Sequence, residues 1–487
     1  MRSPFQRLLS WVFTDQPCRK VNIAALPNDV LLDIFYLYLD LPQHNRPFSN
    51  VGDSSRDTWH TLVHVCQRWR YVVFGSPGWL DLRLRCTNKT RARKMLDIWP
   101  PLPIVISCHR RPTSPLRGIL NIIAALKCHD RVCEISIWDI PHSLLKRYEA
   151  MKNPFPALTS LQLSSADDRR APVLPDSFLG GFAPRLRSLD LHGISFPAPQ
   201  KLLLSATDLV TLRLERIPHS GYISPEEIVA CLSPLTKLKE LALEFQAAPF
   251  IWHPMSQHPP PLTRSVLPAL TSLRFRGASE YLEYLLSRTD LPLLDNVDIT
   301  FYYWPHTSDF PLLCELVSRN ESFEALGRAD IVFGKYFVNV ALSRSRDLTN
   351  HRTLKFWVSC SNFDRQLLYL SRFCNLVLPR LSNLEHLYIH SSFPLPYIQS
   401  FTPNTRWLEL LHPFTSVENL HLSENTAPRV ASALRQLSTS GEGVTEVLPA
   451  LRNVFLPDPQ PSEEILVDIG QFVAAIRPSG RSVSVCY

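Results

Sequence analysis

A unit of the form Leu-x-x-Leu-x-Leu returns along most of this 487-residue chain, and no other feature narrows its possible folds as far. It stands at Val132/Ile135/Ile137, Leu158/Leu161/Leu163, Leu186/Leu189/Leu191, Leu209/Leu212/Leu214, Leu238/Leu241/Leu243, Leu270/Leu273/Phe275 and Leu294/Val297/Ile299. It returns at Leu384/Leu387/Ile389, Val417/Leu420/Leu422 and Leu451/Val454/Leu456. Starts among the first seven lie 26, 28, 23, 29, 32 and 24 residues apart. The last two apolar positions of each unit are two residues apart, so on a strand they share one face. A single short strand cannot bury that face; stacked on its neighbours, with a return segment packed behind, it can. The expected fold class is therefore α/β, a solenoid of short parallel strands with helices in the return segments.

The punctuation agrees with this reading. Pro156, Pro184, Pro268, Pro292 and Pro449 each stand two residues before the first apolar position, where they are expected to end a helix and bias the chain toward an extended path. Ser224-Pro225-Glu226-Glu227 reads as a helix N-cap with proline and acidic residues in the first turn, and Ser462-Glu463-Glu464 reads the same way. The unit resembles the leucine-rich repeat, which implies an irregular horseshoe with helices on the convex side. Most units lack the Asn or Cys usual three residues after the motif; Asn425 fits it. Between residues 300 and 383 the period is lost, although residues 331–333, 337–342 and 354–358 still read as strands and 365–373 as a helix. A Leu-rich α/β domain without solenoid order is the alternative.

The N-terminal region has a different pattern. Leu26-Pro27 is followed by Val30, Leu31, Ile34 and Phe35 at helical spacing, then by Val65-Cys66-Gln67-Arg68-Trp69 and by Trp79. This order resembles the F-box, and the degenerate repeats behind it look most like the large F-box-like families of fungi. The resemblance implies a three-helix module over residues 21–84. Leu26, Pro27, Val30, Leu31, Ile34, Phe35, Val65 and Cys66 would dock a Skp-type adaptor and through it a cullin, while Trp69 and Trp79 would fill the module's core. The remaining divisions expected are a flexible extension at 1–20, a linker and cap at 85–130, repeats at 131–460, and a helix with a tail at 461–487. An insert at 41–58 lengthens the connection between the first helices.

Composition bounds the rest. The apolar runs are too short to span a bilayer, and a net charge of +7 is spread without a nucleic-acid stripe, so neither membrane nor nucleic acid is expected as a partner. Eleven cysteines without framework spacing suit reduced thiols in the cytoplasm or nucleus. Cys108, His109, Cys128, His129 and Cys133 match no zinc spacing and are read as structural, so no metal or other cofactor is expected. No nucleophile elbow, phosphate loop or metalloprotease helix is present, and no catalytic residue is nominated. A hydrolase or transferase hidden at 300–383 would need a deep pocket with convergent titratable groups.

The repeats offer surface. Side chains alternating with the leucines should line the open strand face, and Arg213, Arg274, Arg276, Tyr388 and His390 are the candidates for capturing an unknown protein target. The resemblance implies a substrate receptor of a Skp-cullin-F-box ubiquitin ligase, itself not an enzyme. The alternative is a repeat scaffold without a ligase role, with the N-terminal helices as its cap.

Overall fold

In the computed structural model the described residues are 23–40, 59–87, 89–108, 115–139, 149–165, 171–196, 199–246, 264–302, 310–344, 353–377, 383–393, 404–440, 446–456 and 462–486. The expected N-terminal extension, the 41–58 insert and His109 lie outside them. The chain divides into two compact units, Met1–Cys133 and Glu134–Tyr487.

The first unit begins with helices α1 (Asn28–Asp40), α2 (Trp59–Val63) and α3 (Gln67–Gly75). The Pro27 carbonyl accepts the first helical hydrogen bond, from Leu31 N at 3.1 Å, so the proline stands just outside α1 and not on its first turn. Arg68 reaches from α3 to the Leu26 carbonyl and to Asn28 Oδ1 (2.9 Å), pinning the Leu-Pro corner. Leu31 and Phe35, one helical turn apart, are both buried, and the Phe35 ring meets Trp69 at 4.7 Å.

The expectation for the tryptophans needs correction. Trp59 is the buried one, 1% exposed, with its Nε1 donating to the Arg83 carbonyl and with Phe74 and Trp99 at 5.9 and 5.3 Å. Trp69 is half-buried, and Trp79 is 62% exposed against Tyr36. The cause is local: Trp79 lies in the turns after α3, where Leu80 and Leu82 take the inward positions and leave the indole outside.

Nor is 85–130 a linker. Strands β1 (Leu84–Thr87) and β2 (Ile104–Cys108) pair in parallel from Leu84↔Ile104 to Thr87↔Ser107, with helices at Ala92–Ile98 and Pro115–Leu126. Leu84, Cys86, Ile104 and Ile106 are fully buried, so these are repeat-like units shorter than those read from the sequence. Arg131 closes the turn by donating to the Leu102 carbonyl at 2.9 Å.

The second unit is built on one long mixed sheet, with a separate two-stranded parallel pair of Ser265–Val266 and Thr289–Asp290. Its strands are β3 (Val132–Ile137, which carries the boundary), β4 (Ser160–Ser164), β5 (Ser188–His192), β6 (Thr211–Ile217), β7 (Glu240–Phe245), β8 (Ser272–Gly277) and β9 (Asn296–Phe301). They continue as β10 (Arg328–Gly334), β11 (Phe337–Ser343), β12 (Thr353–Ser359), β13 (His386–Ser391), β14 (Asn419–Leu422), β15 (Asn453–Phe455) and β16 (Ser484–Cys486). The spatial order is β3-β4-β5-β6-β7-β8-β9-β12-β11-β10-β13-β14-β15-β16. All neighbours are parallel except β11, which runs antiparallel to β12 and β10. The lost period of 300–383 is thus a meander laid into a parallel sheet in reverse order, and the strands and helix (Phe363–Val377) expected there are present. The C-terminal tail is also a strand, β16, paired with β15.

The repeat leucines alternate as expected, with Leu161, Leu189, Leu212, Leu241, Leu273, Val297, Leu387 and Leu420 buried. The prolines act differently from the expectation. Leu158, Leu186, Leu270, Leu294 and Leu451 each donate an N–H to the carbonyl three residues back, so Pro156, Pro184, Pro268, Pro292 and Pro449 hold the second position of a β-turn, which their fixed φ favours. The first turn residue, Phe155, Ala183, Leu267, Leu291 or Leu448, is itself buried. Ser224 forms the full capping box with Glu227, whereas Ser462 makes no side-chain cap bond. Asn425 donates to the Ser391 carbonyl of the neighbouring unit at 3.2 Å.

Candidate interaction surfaces

Helix α1 is two-sided. Leu31 and Phe35 point inward, while Val30 and Ile34 (each 39% exposed), Leu37 (62%) and Tyr38 recur at helical spacing on the outside. Val65 is exposed as well. Cys66 caps α3, its Sγ accepting from Trp69 N at 3.4 Å, and Leu26 is half-buried beside an exposed Pro27. Of the residues expected to dock an adaptor, Leu31 and Phe35 therefore belong to the interior, and Val30, Ile34, Pro27, Val65 and Cys66 are open to solvent.

On the second unit the face opposite the leucines is polar and partly exposed, and it changes character along the sheet. From β3 to β9 it is a lattice of ions and amides. Ser136 donates to Gln162 and Gln162 to Asp190. Arg213 pairs with Glu240 at 2.7 Å, Arg274 lies 3.4 Å from Glu215 and 3.6 Å from Asp298, and Arg276 lies 3.5 Å from Glu244. Burial pushes the Asp190 carboxyl above its ordinary range, Glu215 adding to the effect, and burial also raises that of Glu244 against the pull of Arg276. The three candidate arginines do lie on the open face, but each is committed to carboxylates of its own sheet.

From β10 to β15 the same face is built of rings. Asp330, Tyr388, His421 and Phe455 share one register row. Tyr388 stacks on His421 at 4.0 Å and 4°, and His421 on Phe455 at 4.2 Å and 6°. Arg328 caps the row, its guanidinium 3.8 Å from the Tyr388 ring centre and doubly bonded to Asp330 at 2.6 and 2.7 Å. A second row holds Arg328, His386, Asn419 and Asn453, with Asn453 donating to Asn419 at 2.9 Å. His390 stands beyond Tyr388, and its imidazole is held below the ordinary value, first by burial and then by Arg328, with Asp330 opposing. The alternation of the leucines placed Tyr388 and His390 on this face. It did not show the row, because the members come from strands some thirty residues apart.

Of the residues read as structural cysteines, Cys133 donates its thiol to the Ile104 carbonyl. Among the described residues no group of three or more His, Cys, Asp and Glu is placed to hold a metal ion, and no helix is long and apolar enough to cross a membrane. A cavity of about 240 Å³ lies against the 300–383 region, lined by Arg264, Asp290, Glu315, Arg319 and Asn320 among others, and in it Glu315 is already held by Arg319.

No protein-family model matches the chain, and no curated protein matches it. Among solved structures, the leucine-rich repeat-containing protein LegL7 from Legionella pneumophila is similar over 80% of this chain and 97% of its own, at 10% identity and a TM-score of 0.24. The repeat architecture itself rests on the strand registers given above.

Proposed function

We propose that this chain is a non-catalytic substrate receptor of a Skp-cullin-F-box type ubiquitin ligase, acting in the cytoplasm or nucleus. The observation that carries the reading is the uncovered apolar stripe Val30, Ile34 and Leu37 on α1; Val65 is exposed as well. Exposed apolar side chains aligned at helical spacing suit a partner helix or groove, since a solvated helix would place polar groups there. In this reading α1 docks the adaptor, and the open face of the second unit holds the target. The chain then raises the local concentration of the target's lysines at a charged conjugating enzyme without touching the bond being made.

Co-purification of the full chain with a Skp-type adaptor tests this. Wild type should carry stoichiometric adaptor, and Val30→Asp/Ile34→Asp should lose it while keeping its circular dichroism spectrum, because apolar anchors of this kind carry about 2 kcal/mol or more each. A wild-type chain that recovers no adaptor overturns the ligase reading. The second reading, a repeat-based interaction scaffold, draws on the inward half of α1: Leu31 and Phe35 are buried, as residues of a structural cap would be.

A further inference from the structure

We propose that Arg68 is a positioning residue for the docking end of α1: by tying the Leu26–Pro27 corner and the first helical turn to α3, it holds Pro27 and Val30 in place for the adaptor. The inference rests on the proposed docking role of α1 and concerns what keeps that surface in shape.

The need for a tie follows from the burial of α1. From Pro27 to Val30 every residue is exposed, and Leu31, 1% exposed, is the first on the helix to reach the interior. Ahead of it Leu26 is only half-buried. A first turn without inward apolar anchors is held by few bonds and frays, because helical stability in proteins comes mainly from the packed face. The turn that carries Val30 is therefore the weakest part of the surface that is to meet the partner.

Arg68 supplies what burial does not. Its guanidinium donates to the Leu26 carbonyl, and from Nε and Nη2 to Asn28 Oδ1 at 3.1 and 2.9 Å. These bonds stand on both sides of Pro27, since Leu26 precedes the helix and Asn28 is its first residue. One rigid planar group thus fixes the angle at which the chain turns into α1. Asn28 and Phe35 lie about two helical turns apart, hence along one side of α1. The neighbour of Arg68 on α3, Trp69, meets the Phe35 ring at 4.7 Å. The third helix therefore grips the first at its start by a charge and two turns later by a ring. A helix held at two points on one side cannot roll, and Val30 and Ile34, off that side, stay open to solvent.

Two measurements on the full chain keep this inference apart from the ligase reading. The first is hydrogen exchange without adaptor. Arg68→Ala should exchange about tenfold faster than wild type at residues 31–33, whose amides bond back to the corner and the first turn, with protection of the second unit unchanged. Arg70→Ala, which instead loses a bond to the Val63 carbonyl at the end of α2, should leave residues 31–33 as in wild type. The second is calorimetric titration with a Skp-type adaptor. Arg68→Ala should weaken binding about tenfold, Arg68→Lys, which keeps the charge without the fork, about fivefold, and Asn28→Ala about threefold. The double variant Arg68→Ala/Asn28→Ala should be no weaker than Arg68→Ala alone, because both changes remove one contact. A direct charge contact between Arg68 and the adaptor predicts the reverse, with lysine retained and Asn28→Ala silent. That pattern, or unchanged exchange at residues 31–33 in Arg68→Ala, overturns the proposal. A wild-type chain that binds no adaptor would count against the ligase reading, while exchange still decides whether Arg68 holds the first turn.

Discussion

The two halves of the open face share a fold, a register and a buried leucine layer, yet they hold their polar side chains by different physics. From β6 to β9 the arginines are answered by carboxylates on nearby strands, as Arg213 is by Glu240 and Arg274 by Glu215 and Asp298. From β10 to β15 adjacent positions hold planar groups that stack, Tyr388 on His421 on Phe455. A lattice of ion pairs is self-sufficient, for its Coulomb energy is spent within the sheet. A stack is held through its ring faces, here with the Arg328 guanidinium over the Tyr388 ring at one end. Identical backbone geometry therefore gives one region held together by opposite charges and another held together by stacked rings.

The hardest test of this contrast is whether the halves fold together. Phe356 on β12 lies at the seam, stacked on Phe373 at 3.8 Å and flanked by Phe301 and Phe310 at 5.6 and 6.3 Å. Phe356→Ala should cost about 3 to 5 kcal/mol. Because repeat proteins are held by nearest-neighbour interfaces, a break at the seam should split urea unfolding, followed by circular dichroism, into two transitions where wild type shows one. A single transition shifted as a whole would mean that the seam is not where cooperativity is weakest.

A smaller effect separates the lattice from the stack. Arg274→Glu places a carboxylate between Glu215 and Asp298, so it should cost about 1 to 2 kcal/mol, two ion pairs lost and two repulsions gained. Raising the salt concentration should recover part of the loss. The same reversal at the exposed Lys355, which stands in register with Asp298, should cost less, about 0.5 kcal/mol. Equal costs at both positions, from thermal melts at low and high salt, would remove the distinction between a half held by ion pairs and one held by stacking.

How far these differences could be read from the sequence depends on their range. The leucine triplets are local, and their period of two marks the buried positions of the strands that carry them and the open-face residues between. The turn residues Phe155, Ala183, Leu267, Leu291 and Leu448 are equally local: an apolar residue directly before each proline marks them, outside the Leu-x-x-Leu-x-Leu unit itself. The units at β1, β2 and β16 were missed because Leu84/Cys86 and Ile104/Ile106 are short and close together, and Ser484–Cys486 is scarcely apolar. The ring row and the ion lattice are of another kind. Each contact joins strands at irregular intervals, and the reversed meander β10 to β12 puts Asp330 next to Tyr388, which no running period shows. In the first unit the motif points to Trp69 and Trp79, whereas burial follows the turns: Trp59 on a helix is buried and Trp79 in a turn is exposed.

The smallest effect is the response to acid, and it should have opposite signs in the two halves. Asp190 and Glu244 have carboxyls raised above their ordinary values of 3.8 and 4.5. Between those values and the raised ones the folded state binds more protons than the unfolded, so stability from these groups grows as pH falls through that window. His390 is held below the ordinary 6.5, so the unfolded state takes its proton first, and the contribution present above 6.5 is lost as pH falls from there toward the folded value. Mild acid should therefore loosen β13 before it affects β5 and β7. Hydrogen exchange of the full chain at about pH 7.5 and about pH 5.5, corrected for intrinsic rates, reads this segment by segment. Protection should fall in residues 386–391 and hold or rise in 188–192 and 240–245. His390→Gln should abolish the fall in β13 alone. Uniform loss of protection across the sheet, or a fall in β13 that persists in the glutamine variant, would mean that acid acts on the sheet as a whole and that the chemistry of its two halves does not set their response.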